Sequence, residues 1–106
     1  MTPSLTTYRH THSFEYELTD APTRPTPYAR TNAEYQPERI SFQLLDAGDG
    51  TLSLEYVAIS GHKLSAKGTP TRFVATEHLY IRDGLPEFAI ELVGQARLMI
   101  TKGVKP

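Results

Sequence analysis

His10 and His12 stand two positions apart in the run HTHSFEYE, and Glu15 and Glu17 follow at the same spacing. Neutral imidazoles at i and i+2 of an extended chain project from one face, and they can share a metal ion when a third ligand converges from a neighbouring strand. His62 and His78 are the histidines left to supply it. Paired carboxylates do general acid or base work when one is moved out of water or crowded by the other. Glu15 and Glu17 alternate with Phe14, Tyr16 and Leu18, which places them on the polar side of a strand with no sign of either condition. A simpler account of the histidines is a strand that enters the core from its rim, with Tyr8, His10 and His12 keeping their polar ends wet before Phe14 goes inside. On that account no metal or other cofactor is expected, and His10 and His12 stand only as candidates.

Other chemistries lack their residues. The chain holds no cysteine, which removes disulfides, thiolate metal sites and thiol nucleophiles together. No GxSxG elbow, P-loop or HExxH occurs, so no catalytic residue is assigned and a non-enzymatic protein is expected. HTHSFEYE partly resembles the HxH-then-glutamate motif of the cupins, with Glu17 in the glutamate position. The glycines that flank the cupin motif and its later histidine motif are missing, and the strands are too few for a cupin barrel.

Charge is more informative. With 11 basic and 12 acidic side chains the formal net charge is −1, so no global field drives the chain toward nucleic acid or acidic lipid. The distribution is uneven: acids outnumber bases in residues 1–53, and bases outnumber acids in residues 54–106. Residues 60–72, SGHKLSAKGTPTR, carry Lys63, Lys67 and Arg72 without an acid. A basic hairpin can contact phosphates, and these three are the candidate nucleic-acid-binding residues. The competing reading is a solvated hairpin tip whose lysines keep the sheet edge from pairing with other chains.

The elements that would position these residues follow from periodicity. Alternation over residues 8–18 predicts a strand. Residues 20–38 hold prolines at 22, 25, 27 and 37 with hardly an aliphatic side chain, which predicts a long connection pinned by Tyr28 and Tyr35. RISFQLLD and TLSLEYVAI around AGDG predict a hairpin, with Ile40, Phe42 and Leu44 on one face and Leu52, Leu54, Tyr56 and Ala58 on one face. A further reversal at KGTP leads into TRFVATEHLYI, where Glu77 interrupts the apolar alternation and suggests a bulge. After Leu85 the spacing changes to three and four, through Phe88, Ala89, Leu92, Val93, Ala96, Met99 and Ile100. That stripe predicts a helix starting near Pro86, with Asp83 placed to cap it. Gly94 in the middle of it points to close approach to the sheet or an early end.

The expected architecture is α+β: residues 1–106 as a single domain, a four-stranded antiparallel meander sheet with one C-terminal helix packed on one face. No apolar run spans a bilayer and the N-terminus lacks a secretory profile, so a cytoplasmic protein without membrane association is expected. DGLPEFAIELV is similar to the end of short uncharacterised proteins of actinobacteria and their phages. That resemblance covers about twenty residues and implies an accessory, mobile-element role such as an inhibitor. The functional expectation is a small protein-binding module that contacts another protein through the proline-tyrosine loop, with Tyr28, Arg30 and Tyr35 as binding residues. Nucleic-acid binding by the hairpin at residues 60–72 is the alternative, and the oligomeric state stays open.

Overall fold

The computed structural model describes residues 10–27, 33–81 and 84–102. Its elements are β1 (His10–Glu17), β2 (Arg24–Pro25), β3 (Glu34–Asp46), β4 (Leu52–Leu64), β5 (Pro70–His78) and α1 (Glu87–Thr101). All strand pairs are antiparallel, in the order β1-β3-β4-β5, and β2 pairs with the other end of β3. The α+β meander with a single C-terminal helix is therefore what the chain forms.

The proline-bearing stretch differs from its expectation. Residues 20–38 are not one long connection, because β3 already begins at Glu34 and β2 lies within the stretch. Leu18 N–H donates to the Glu38 carbonyl at 2.8 Å, the Gln36 amide to the Ala21 carbonyl at 2.6 Å, and Thr26 N–H to the Ala33 carbonyl at 2.9 Å. β1 and β2 thus form one interrupted edge strand along β3. The physical reason is where the prolines fall: Pro25 occupies the edge, where a missing N–H costs the ladder nothing, and Pro37 occupies a bulge.

Two irregularities control which side chains go inside. The β3–β4 register jumps between Pro37 and Arg39, which leaves Glu38 as an extra residue, and again after Gln43, which leaves Glu55 extra. Each extra residue swaps the alternation. On β3 the buried set is therefore Tyr35 and Pro37 before the first bulge, then Ile40, Phe42 and Leu44 after it. On β4 Leu54 opposes Leu44, but beyond Glu55 the core set becomes Val57 and Ile59, opposing Phe42 and Ile40. Leu52, Leu54, Tyr56 and Ala58 consequently do not share a face as alternation alone suggests. Val57 and Ile59 are buried because of the bulge, and Tyr56 is turned to the open side at 40% exposure.

The hairpin at residues 46–52 is built as expected: Asp46 Oδ1 accepts from Gly48 N–H at 2.9 Å, and Gly48 and Gly50 have φ of 87° and 90°. The bulge expected at Glu77 is absent, since Ile59↔Glu77, Ser60↔Thr76 and Gly61↔Ala75 pair without a break. α1 covers one face of the sheet through Ala89, Val93 and Ala96, which join Phe14, Tyr35, Ile40, Phe42, Leu44, Val57, Ile59 and Ala75 in one core. Small residues at the helix contact let its axis lie close to the large side chains of β3. Pro86 is the helix N-cap, and Ala89 and Ile90 N–H both donate to its carbonyl. Asp83 lies outside the described residues. Gly94 neither ends the helix nor approaches the sheet; it is exposed on the outer side of α1.

Gly61 has a firm packing reason. A Cβ there would collide with the backbone carbonyl of Gln36 and lie 3.1 Å from the Glu38 amide nitrogen, both on the bulge opposite. Gly61→Ala is expected to lower stability by about 1–3 kcal/mol, read as a lower urea midpoint. An unchanged midpoint would mean that the two strands are not held this close.

Candidate functional site

Three groups of polar side chains stand out from the fold. The first is inside it. On β5 the residues facing α1 are Ala75 and Glu77, set opposite Gly61 and Ile59, so a carboxylate points into the core side of the sheet. Arg24 reaches it from β2: its Nη2 donates to Glu77 Oε1 at 2.6 Å and its Nε to Oε2 at 3.1 Å. The hydroxyl of Tyr35, a fully buried residue of β3, donates to Oε2 at 2.7 Å. Glu77 and Arg24 side chains keep only 15% and 23% of their exposure. Gly61 between them supplies no side chain, and β3 and β5, which are not neighbours in the sheet, touch directly there. The sheet curls enough at this end for its two edges to be tied together.

This cluster is a tie and not an acid or base. Burial alone would raise the Glu77 carboxyl, but the hydrogen bonds from Arg24 and Tyr35 and the guanidinium charge outweigh it, and the carboxyl sits below its usual range. The hydrogen bond to Glu77 holds the Arg24 guanidinium above its ordinary value against the opposing effect of burial. Burial, followed by the bond to Glu77, pushes the Tyr35 phenol well up. All three groups are locked in one protonation state at neutral pH. Tyr35, expected as a surface contact, is a buried residue of the core. Tyr28 and Arg30 lie outside the described residues. The signal for the cluster in the sequence was Glu77 breaking an apolar alternation; Arg24, among prolines, carried none.

The second group lies on the open face of the sheet. The Glu38 bulge turns its carboxylate toward β4, where Oε1 accepts from His62 N–H at 2.9 Å and from the ring Nδ1 at 2.5 Å. A shallow groove of about 480 Å³ runs beside it, lined by Glu17, Arg39, Ser60, His62 and Val74. Both partners of the pair are exposed, at 42% and 49%, so its field is close to that in water. Glu38 is the one side chain bonded to the His62 ring among the described residues, and no nucleophile is engaged. The metal arrangement considered for His10 and His12 does not assemble. Their rings meet edge to face with centroids 4.4 Å apart on the helix side of β1, while His62 and His78 stand on the open side, His78 against Tyr56. No three metal-ligating side chains converge among the described residues. Glu15 is exposed and paired with Arg39 at 3.1 Å.

The third group is the β4–β5 hairpin. Ser65 and Thr69 close its turn through their hydroxyls, 2.7 Å apart, and Gly68 has φ 82°. Lys67 is exposed at the tip, Lys63 is half-buried, and Arg72 is exposed with its guanidinium 5.3 Å from the centroid of the Phe73 ring. No aromatic lies within residues 60–72, and Phe73, next to Arg72 in the chain, supplies the ring. Phe73 and Val74 are 57% and 58% exposed and, being adjacent on a strand, face opposite sides of the sheet. β5 pairs with β4 alone among the described residues. Leu79 N–H donates to the Val57 carbonyl at 2.9 Å, so in an antiparallel ladder the backbone groups of Ala75 and Glu77 also point to β4 and those of Val74, Thr76 and His78 point away from it.

No family model, no curated protein and no solved structure matches this chain. Among the described residues no helix is long and apolar enough to cross a membrane.

The tie sets a pH dependence. A glutamate in the unfolded chain takes up its proton near pH 4.3, whereas Glu77 in the fold holds out to lower pH. Its contribution is therefore complete above that value and is lost as pH falls through the folded carboxyl. Tyr35 works in the other direction: its stabilisation is complete below about pH 10, the unfolded phenol value, and is lost as pH rises. Glu77→Gln is expected to flatten the acid limb of stability against pH, and Tyr35→Phe the alkaline limb, each costing about 1–3 kcal/mol at pH 7. Urea titrations across pH in which both limbs keep their slopes would remove the cluster from this role.

Proposed function

We propose that this chain is a non-catalytic protein-binding module whose partner adds an extended segment to the open edge of β5. The observation that carries the reading is that edge itself: outward backbone groups at Val74, Thr76 and His78, flanked by exposed Phe73 and Val74 on its two faces. Edge pairing gives affinity through the main chain, and side chains on either side give selectivity. Natural edges are usually blunted by charge, proline or a bulge. β5 has Pro70 at its start and Glu77 turned inward to Arg24, but no charged side chain from Phe73 through Thr76. An accessory or inhibitory role fits a module of this kind, since masking a larger protein requires a surface and no catalytic machinery.

A second reading keeps the same hairpin but a different partner. Arg72 stacked near exposed Phe73, with Lys67 at the tip, forms a cation and aromatic platform of the sort that single-stranded nucleic acid uses. Affinity would then fall steeply with salt and on neutralising Lys63, Lys67 and Arg72 together.

Thr76→Pro separates these readings, because it removes one outward N–H while leaving the bonds to β4 in place. Peptides selected from a random library against the wild-type protein are expected to shift the amide resonances of Val74, Thr76 and His78. Their affinity for Thr76→Pro should drop at least about tenfold, the effect of about 1.4 kcal/mol, with little change in melting temperature. Selected peptides that bind both proteins equally would sink edge pairing. Salt-sensitive binding of single-stranded oligonucleotides, undisturbed by Thr76→Pro, would favour the second reading.

A further inference from the structure

The β4–β5 ladder breaks near its hairpin end. His62 pairs with Val74 and Leu64 with Pro70, so Thr71, Arg72 and Phe73 stand opposite Lys63 alone. A bulge of this kind throws residues out of the ladder and ends regular pairing. Thr71 closes its inner side: the hydroxyl donates to the Lys63 carbonyl at 2.8 Å and accepts from Phe73 N–H at 3.2 Å. Arg72 and Phe73 are left exposed, with the guanidinium near the ring. The edge of β5 that faces away from β4 therefore changes character along its length, from outward backbone groups at Val74, Thr76 and His78 to side chains at the bulge. Its charge is polarised in the same sense. Lys63, Lys67 and Arg72 lie at the bulge end, none of them in an ion pair among the described residues, whereas the one acid of β5, Glu77, is tied to Arg24.

We propose that the segment received by β5 is an acidic peptide that runs antiparallel to it, with its aspartates or glutamates C-terminal to the residues that pair. This rests on the edge-pairing reading above and adds the chemistry and the direction of the partner. An antiparallel ladder is the more stable of the two arrangements, and in it the incoming strand passes His78 first and the bulge last, so its C-terminal part meets Arg72 and Lys67. Carboxylates there match cations that the chain leaves unmatched, and a segment with lysine or arginine in the same place is repelled. Exposed ion pairs are individually weak, so the acids choose and orient the strand while the main chain holds it. A second copy of β5 fails this requirement, because its Glu77 is already engaged. Nucleic acid answers the charge but not the backbone: phosphates only accept hydrogen bonds, and they would leave the outward carbonyls of Val74, Thr76 and His78 unpaired.

Peptides selected from the random library against the full chain supply the probe. Those that shift the amide resonances of Val74, Thr76 and His78 are expected to carry aspartate or glutamate C-terminal to their paired residues. For one such peptide, replacing the acids by asparagine or glutamine, or moving them to its N-terminal end, should weaken binding about fivefold at low salt, the combined effect of two exposed ion pairs. The difference should shrink as salt is raised, and it should vanish against the double variant Lys67→Gln, Arg72→Gln, whose two changes lie on exposed side chains and should leave the melting temperature near that of the wild type. Selected peptides that lack acids, or that bind equally well after their acids are neutralised or moved, overturn this inference and leave edge pairing intact. Tighter binding with the acids at the N-terminal end also overturns it, in favour of a parallel strand. Equal binding to Thr76→Pro removes edge pairing and this inference with it. Single-stranded oligonucleotides held by Lys67 and Arg72, with no preference for acids among the peptides, would assign these cations to nucleic acid instead.

Discussion

A guanidinium and a carboxylate from opposite edges of the sheet meet on its covered side, and much of the molecule is arranged so that they can. Arg24 comes from the edge that β1 and β2 share, Glu77 from β5, and the phenol of Tyr35 completes the set from between them. Two charges with this little exposure are costly to bury unless paired and fully hydrogen-bonded. The pairing in turn demands a curled sheet, since a flat one would keep β2 and β5 three strands apart. The bulge at Glu38, the proline beside it and the bare Gly61 opposite supply that curl.

The same bulges divide the labour between the two faces. By swapping the alternation on β3 and again on β4, they gather Tyr35, Ile40, Phe42, Leu44, Val57 and Ile59 under α1. The other face receives Ser41, Ser60, Tyr56, His62 and Arg39, and no helix among the described residues covers it. With the core satisfied in this way, the apolar side chains that remain outside cannot be explained by folding. Phe73 and Val74 on β5 are among them, as are Tyr80, Ile90 and Leu98, and the binding surface proposed for β5 rests on the first two.

Legibility of the sequence followed the regularity of each element. The helix stripe, the hairpin at Asp46–Leu52 and the core residues Ile40, Phe42 and Leu44 repeat at fixed intervals, and a fixed interval is a local property. Residues 20–38 read as a loop because their prolines lack the ladder donor and fix φ, and hardly an aliphatic side chain stands among them. Whether that loss matters depends on which neighbour stands beside it, and for Pro25 and Pro37 that neighbour is an edge or a bulge. Tyr35 looked like a contact residue for a similar reason: the amphipathic character that suits an interface suits equally a core position with one buried acceptor, here Glu77.

From the order of residues alone came the class of fold, the antiparallel meander, the helix on one side and the absence of familiar catalytic motifs, since each depends on patterns a few residues long. Only the tertiary structure decided that Arg24 and Glu77, 53 positions apart, belong together, and that His62 and His78 face away from His10 and His12. It also decided that, among the described residues, β5 pairs with β4 alone. These are matters of register, and a single extra residue in a strand reverses every side chain beyond it, which no reading of spacing can anticipate without knowing what lies opposite.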